Sequence, residues 1–184
     1  MTSGLILAGG YSSRMGKNKA ELPIKDSTFI CHMVEKFRKI EIEDIIISGY
    51  ELKGFTSVND IYPHRGPMSG IHAGLNASKN DAVLVLAVDT PLVPESLLEE
   101  LIIHHEKNKA DITIVRHKGI NEPLIGIYSK ALLPLCEEIL QGERTSMKEL
   151  MKSSTVDFLD YEGDENLLMN FNTPEEYALL GSLI

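Results

Sequence analysis

The chain has 184 residues, of which 43% are hydrophobic and 24% charged, enough apolar content for one compact domain with a substantial core spanning residues 1–184. Its formal net charge of -9 opposes DNA, RNA or an acidic membrane as partners, because those surfaces are bound by summed positive field. Cys31 and Cys136 are the only cysteines, without Cys or His neighbours at zinc-binding spacing, so neither a disulfide framework nor a structural zinc site is expected. The start Met1-Thr2-Ser3-Gly4 carries no basic leader and no long apolar run, which together with reduced cysteines leads us to expect a soluble cytoplasmic protein.

The first predicted element is a short buried strand, Leu5 to Ala8, that empties into Gly9-Gly10. Phe29, Ile30, Met33, Val34, Phe37 and Ile40 then recur at helical spacing, so the pattern predicts an amphipathic helix from Thr28 to Ile40, capped by Ser27 or Thr28. Asp44 opens a strand over Ile45 to Ser48 that stops at Gly49, and Ser57-Val58 forms a short strand ending at Asn59-Asp60. A helix over Ser69 to Ala77 is entered through Gly66-Pro67. Ala82 to Val88 is the most hydrophobic continuous run, and its lack of alternation predicts a central parallel strand covered on both faces. Pro94 starts a helix carrying Leu97, Leu98, Leu101 and Ile102, followed by a strand over Ile112 to Arg116. The remainder is read as a strand Leu124 to Tyr128, helices Lys130 to Leu140 and Ser146 to Lys152, a strand Val156 to Leu159 and a closing helix Pro174 to Leu183. Repeated strand-helix-strand units predict a three-layer α/β/α sandwich, a Rossmann-like, mostly parallel sheet with helices on both faces.

The segment Leu7 to Lys19 carries the most specific chemistry. Gly9, Gly10 and Gly16 let backbone N–H groups approach phosphate oxygens, and Arg14 and Lys19 supply charge against a leaving pyrophosphate. Arg14, Lys17, Lys19 and Lys25 face only Glu21 between Tyr11 and Lys25, a positive patch in an acidic chain. The segment is not a P-loop, since five residues rather than four separate Gly10 from Gly16 and Asn18 stands in place of Ser or Thr; Gly-x-Gly-x-x-Gly is absent too. An ordinary turn with solvated basic residues is the plainer alternative.

Asp89 follows the central strand, at the rim where open α/β sheets bind ligands, and offers a hard oxygen to Mg²⁺. Capping the Asp-Thr-Pro turn would also account for it. Asp60 ends another strand, and Gly66 to Ile71 makes a tight turn into a helix whose amino end faces a nucleotide. In Asn170-Phe171-Asn172-Thr173-Pro174-Glu175-Glu176, Thr173 and Glu176 read as a capping box, whereas Asn170 and Asn172 share one face of an extended segment and present amides to a polar ligand. His104 and His105 beside Glu106 and Lys107 read as solvated surface residues, and no Ser-His-Asp or Cys-His arrangement is evident.

Taken together these motifs resemble the molybdenum cofactor guanylyltransferases, within the nucleotide-diphospho-sugar transferase fold, over nearly the whole chain. Leu7 to Lys19 is similar to the family signature, Gly66 to Gly70 to its Gly-Pro-Leu-Ala-Gly turn, Asp89-Thr90-Pro91 to its metal-site motif, and Asn170 to Glu176 to its Asn-x-Asn-Thr-Pro-Glu segment. The resemblance implies that Leu7, Ala8, Gly9 and Lys19 contact GTP, that Asp60 meets the nucleoside end, and that Asp89 binds nucleotide and Mg²⁺. It places Asn170, Asn172 and Arg144 on the molybdopterin side and leaves room for a transient cofactor-delivery protein. Ser48 stands where some members carry Asn, and Thr145-Ser146 replaces a more basic variant. Gly9 favours guanine by analogy, since related cytidylyltransferases carry Leu-Ala-Ala-Gly there. The expected reaction is GMP transfer from GTP to molybdopterin. A cytidylyltransferase or sugar-phosphate nucleotidyltransferase, or a non-catalytic nucleotide-binding module, are the alternatives.

Overall fold

The computed structural model describes residues 1–9 and 18–183. Strand β1 (Thr2–Leu7) is followed by a 3₁₀ turn (Lys19–Glu21) and a small hairpin of β2 (Pro23–Ile24) and β3 (Ser27–Thr28), which lead into helix α1 (Phe29–Lys39). Then come β4 (Ile45–Ser48), β5 (Thr56–Val58), α2 (Pro67–Ala77), β6 (Ala82–Ala87), α3 (Glu95–Asn108), β7 (Ile112–His117) and β8 (Ile120–Ser129). A 3₁₀ turn (Lys130–Leu132), α4 (Leu133–Gln141), α5 (Met147–Lys152), β9 (Val156–Asp160), a 3₁₀ turn (Glu165–Leu168) and α6 (Pro174–Leu183) complete the order.

Seven strands form one sheet in the order β5-β4-β1-β6-β8-β7-β9. β4, β5 and β6 run parallel to β1, and β9 parallel to β7, while β8 runs antiparallel to both β6 and β7. The sheet is therefore mostly parallel as expected, with one reversed strand wedged into the middle. That strand begins at Ile120, four residues earlier than the pattern predicts, because its start Ile120-Asn121-Glu122 still pairs with the end of β7. Along β6 the side chains alternate between the two layers, Leu84 and Leu86 packing with α1 and α3, Val83 and Val85 with α2 and α4, so every position is apolar.

Local chemistry sets the boundaries. β1 extends back to Thr2 because the buried Ser3 hydroxyl donates to Asp44 Oδ2 at 2.6 Å and lies 2.8 Å from Ser78 Oγ, which satisfies a polar group in the sheet. Thr28 caps α1 through Cys31 N–H at 3.5 Å, whereas Ser27 belongs to β3. The expected helix from Lys130 is broken into a 3₁₀ turn and α4, since Pro134 lacks an N–H and fits only in a first turn. His104 and His105 are corrected by packing. His105 is buried on the stripe of Leu98 and Leu101 with Nδ1 2.8 Å from Thr113 Oγ1, and His104 Nε2 lies 2.9 Å from Asp157 Oδ2. Among the described residues no helix is long and apolar enough to cross a membrane.

Candidate nucleotide site

The chain leaves β1 toward β4 on one side and returns on the other with β6, so the carboxyl ends of β1 and β6 flank a topological switch point. A cleft of about 550 Å³ opens there. Its floor is the strand ends themselves: Ala8 N–H donates to Ser48 O at 2.8 Å and Val88 N–H to Leu7 O at 3.0 Å, tying β4, β1 and β6 into one rigid rim. Leu7, Ala8, Gly9, Ser48, Gly49, Ala87, Val88 and Asp89 all line it.

Two close approaches shape the rim. Gly49 has φ +79°, and a Cβ on it would stand 2.3 Å from the Cα of Gly9. On α2, a Cβ at Gly70 would fall 2.8 Å from Leu7 Cδ2 and 2.9 Å from Ser48 Oγ. Glycine at these positions lets the loops after β1 and β4, and the first turn of α2, meet around the cleft. Gly66 at φ +71° and Pro67 at the first helical position aim the amino end of α2 into it, which supplies positive potential to an anion.

Two charged groups and an amide converge from three distant segments. Lys19 enters from the 3₁₀ turn that Asn18 caps, its carbonyl oxygen Oδ1 accepting from Ala20 N–H at 3.1 Å. Lys19 Nζ lies 2.7 Å from Asp89 Oδ2, with both side chains about 15% exposed, and it also donates to Asn172 Oδ1. Asp89 is fixed by its backbone. Thr90 Oγ1 donates to Ala87 O at 2.7 Å, and Phe171 N–H donates to Asp89 O at 2.9 Å. Phe171 is fully buried while Asn170 and Asn172 line the cleft, the alternation of an extended segment. The capping box is formed as read: Thr173 Oγ1 accepts from Glu176 N–H at 3.2 Å, and Glu176 Oε2 accepts from Thr173 N–H at 3.0 Å and Asn172 N–H at 2.7 Å.

Asp60 lines the far side of the cleft. Burial pushes its carboxyl above the usual range, and a hydrogen bond from Ser48 works against that shift. Gly10, Arg14 and Gly16 lie outside the described residues. Arg144 does not line the cleft; it is exposed in the loop between α4 and α5, beside the rim, since Arg65 Nη1 donates to Gly142 O at 3.1 Å. Sequence reasoning passed over His64, which lines the cleft at φ +64°, and Gly49 as a contact rather than a stop. A left-handed non-glycine residue between Asp60 and Gly66 leaves no sequence signature. A second hollow of about 760 Å³ sits at the opposite, amino ends of the strands around Asp44 and Lys79, away from the rim where such sheets bind ligands.

A mostly parallel α/β sheet with a carboxylate, a lysine and a helix amino end around a switch-point cleft is the arrangement of an α/β protein suited to an anionic ligand. Residues 4–157 match the model of the MobA-like NTP transferase domain, and the chain belongs to that family. It is 35% identical to a probable molybdenum cofactor guanylyltransferase from Carboxydothermus hydrogenoformans, covering 95% of this chain and 92% of that one. A protein of the same description from Flavobacterium johnsoniae is 32% identical over 93% and 92%. Among solved structures, molybdopterin-guanine dinucleotide biosynthesis protein A from Archaeoglobus fulgidus superposes with a TM-score of 0.84 at 22% identity, over 99% of this chain and 98% of that one, which shows the same fold.

Proposed function

We propose that the protein transfers GMP from GTP to the terminal phosphate of molybdopterin, forming the guanine dinucleotide and releasing pyrophosphate. The observation that carries this reading is the convergence of Lys19, Asp89 and Asn172 at one point of the cleft, where a donor site on the β1 and β6 side meets an acceptor segment on the Asn170 side. The chemistry needs no protein nucleophile. A phosphate oxygen of molybdopterin attacks the α-phosphorus of GTP, the bond from that phosphorus to the bridging oxygen breaks, and pyrophosphate leaves with the electron pair.

The protein supplies position and charge. Leu7, Ala8 and Gly9 present backbone to the nucleotide, and the amino end of α2 faces its phosphates. Lys19 moves from Asp89 to the phosphates as charge develops, while Asp60 meets the nucleoside end and Asn170 and Asn172 hold the acceptor. Gly10, Arg14 and Gly16 complete the phosphate loop in this proposal, and Arg144 reaches the acceptor from the rim.

Asp89 suits Mg²⁺ of the kind held by one carboxylate plus substrate phosphates, and no cluster of three or more His, Cys, Asp or Glu side chains among the described residues offers an all-protein cage. Bound there, Mg²⁺ supplies neutralisation of the nucleotide phosphates. The free Cys31 and Cys136 suit a reducing cytoplasm.

Asp89→Asn tests the assignment. Turnover falls by about 10²-fold or more, as for loss of an electrostatic group acting in the transition state, while the melting temperature stays near that of the wild type. Near-normal turnover at limiting Mg²⁺ would remove Asp89 from the mechanism.

A further inference from the structure

The Asp89 loop, residues 89–94 between β6 and α3, is held from a direction that its own sequence does not announce. Pro91 and Pro94 have no N–H to donate, and the carbonyls of Pro91 and Val93 turn toward α1. There Lys36 Nζ donates to Val93 O at 2.7 Å, and one turn earlier His32 Nε2 lies 3.1 Å from Pro91 O, a geometry that requires the proton on Nε2. Lys36 is 4% exposed and has Glu95 Oε1 at 3.5 Å. Burial lowers the affinity of both groups for a proton, and the charge of Lys36 adds to the effect on His32.

A lysine ammonium carried into the interior is costly unless it is paired and hydrogen-bonded, which Glu95 and Val93 O provide here. The same helix is also bonded to the other half of the site. Phe29 N–H at its start donates to Leu22 O at 2.9 Å, and Ala20 and Leu22, just after Lys19, are buried against Phe29, Ile30 and Met33. One rigid helix therefore grips the segment bearing Lys19 and the loop bearing Asp89.

We infer that Lys36, assisted by His32, is a positioning residue that sets Asp89 relative to Lys19 by holding the carbonyls of Val93 and Pro91 from α1. The inference rests on the reading of Asp89 as the carboxylate that serves the transfer. It assigns Lys36 no contact with substrate.

The test compares Lys36→Met, Lys36→Arg and His32→Gln in the full chain. Removing a charge-assisted hydrogen bond should slow pyrophosphate release from GTP with molybdopterin about tenfold in kcat, with the KM for GTP changed less than about threefold and the melting temperature lowered for Lys36→Met, which leaves Val93 O without its donor. Lys36→Arg, whose guanidinium reaches the same carbonyl, restores kcat. Hydrogen exchange at the amides of Asp89, Thr90, Leu92 and Val93 speeds up in Lys36→Met by about tenfold, and β1 and β6 stay protected. His32→Gln gives the same signs with smaller size, which covers the case of a Lys36→Met protein that does not fold. Loop exchange and kcat both equal to wild type in a folded variant would overturn the inference. A wild-type protein that releases no pyrophosphate would instead overturn the functional reading, and the exchange comparison, which needs no substrate, would still decide the role of Lys36.

Discussion

Replacing Gly49 by alanine probes how closely the loops of the cleft must meet. Gly49 sits at φ +79°, which costs an L-residue about 1–2 kcal/mol. Its new Cβ would also stand 2.3 Å from Gly9 Cα and 2.6 Å from Gly9 N, both backbone atoms, so the loop after β1 must retreat by about 1 Å to reach ordinary contact. Gly54→Ala isolates the first effect, because Gly54 has φ +91° but nothing within 4 Å of the added carbon. For a chain of this size 1 kcal/mol corresponds to about 2–4 °C, so Gly54→Ala should lower the melting temperature by about 2–8 °C and Gly49→Ala roughly twice as far. Displacing the nucleotide rim should weaken GTP binding in Gly49→Ala by about tenfold or more, and leave it unchanged in Gly54→Ala. Scanning fluorimetry and titration calorimetry on the two variants provide the comparison. Equal melting shifts together with unchanged GTP affinity in both would refute the close-approach argument.

Asn172→Ala should raise the KM for the acceptor by about tenfold, the loss of one or two hydrogen bonds, with a smaller effect on that for GTP; a change confined to GTP would move Asn172 to the donor side. Burial holds the pKa of His105 below its ordinary 6.5, so the unfolded chain takes up a proton that the folded one resists. Its contribution to stability is thus complete above pH 6.5 and is lost as pH falls through the lowered folded value, and His32 acts with the same sign. His105→Gln, which can keep a bond to Thr113 Oγ1, should flatten the decline in melting temperature between pH 7 and pH 5.5, and an unaltered slope would contradict the assignment.

The elements most legible in the sequence were those in which local chemistry and global packing agree. The β6 run Ala82 to Ala87 has no polar face because both faces are covered, and Thr173 and Glu176 form the capping box that their spacing announces. The rim residues Gly9, Asp89, Asn170 and Asn172 could be found because each follows a strand or flanks a buried aromatic in an extended segment. What the sequence hid depends on contacts between distant residues. The direction of β8 follows from its pairing with β6 and β7, not from its own pattern, and His105 is buried because α3 lays that face on Thr113 of β7. Lys36 looks like a solvated helix lysine until the Asp89 loop is placed against α1, where it becomes a buried donor.

The measurement that bears most directly on the proposed transfer is Mg²⁺-dependent pyrophosphate release from GTP, CTP and ATP, each with and without molybdopterin, under anaerobic conditions. Release from GTP only when molybdopterin is present, with the guanine dinucleotide recovered by mass spectrometry, is the predicted result. Release from CTP in preference to GTP, or from no pair at all, would contradict it.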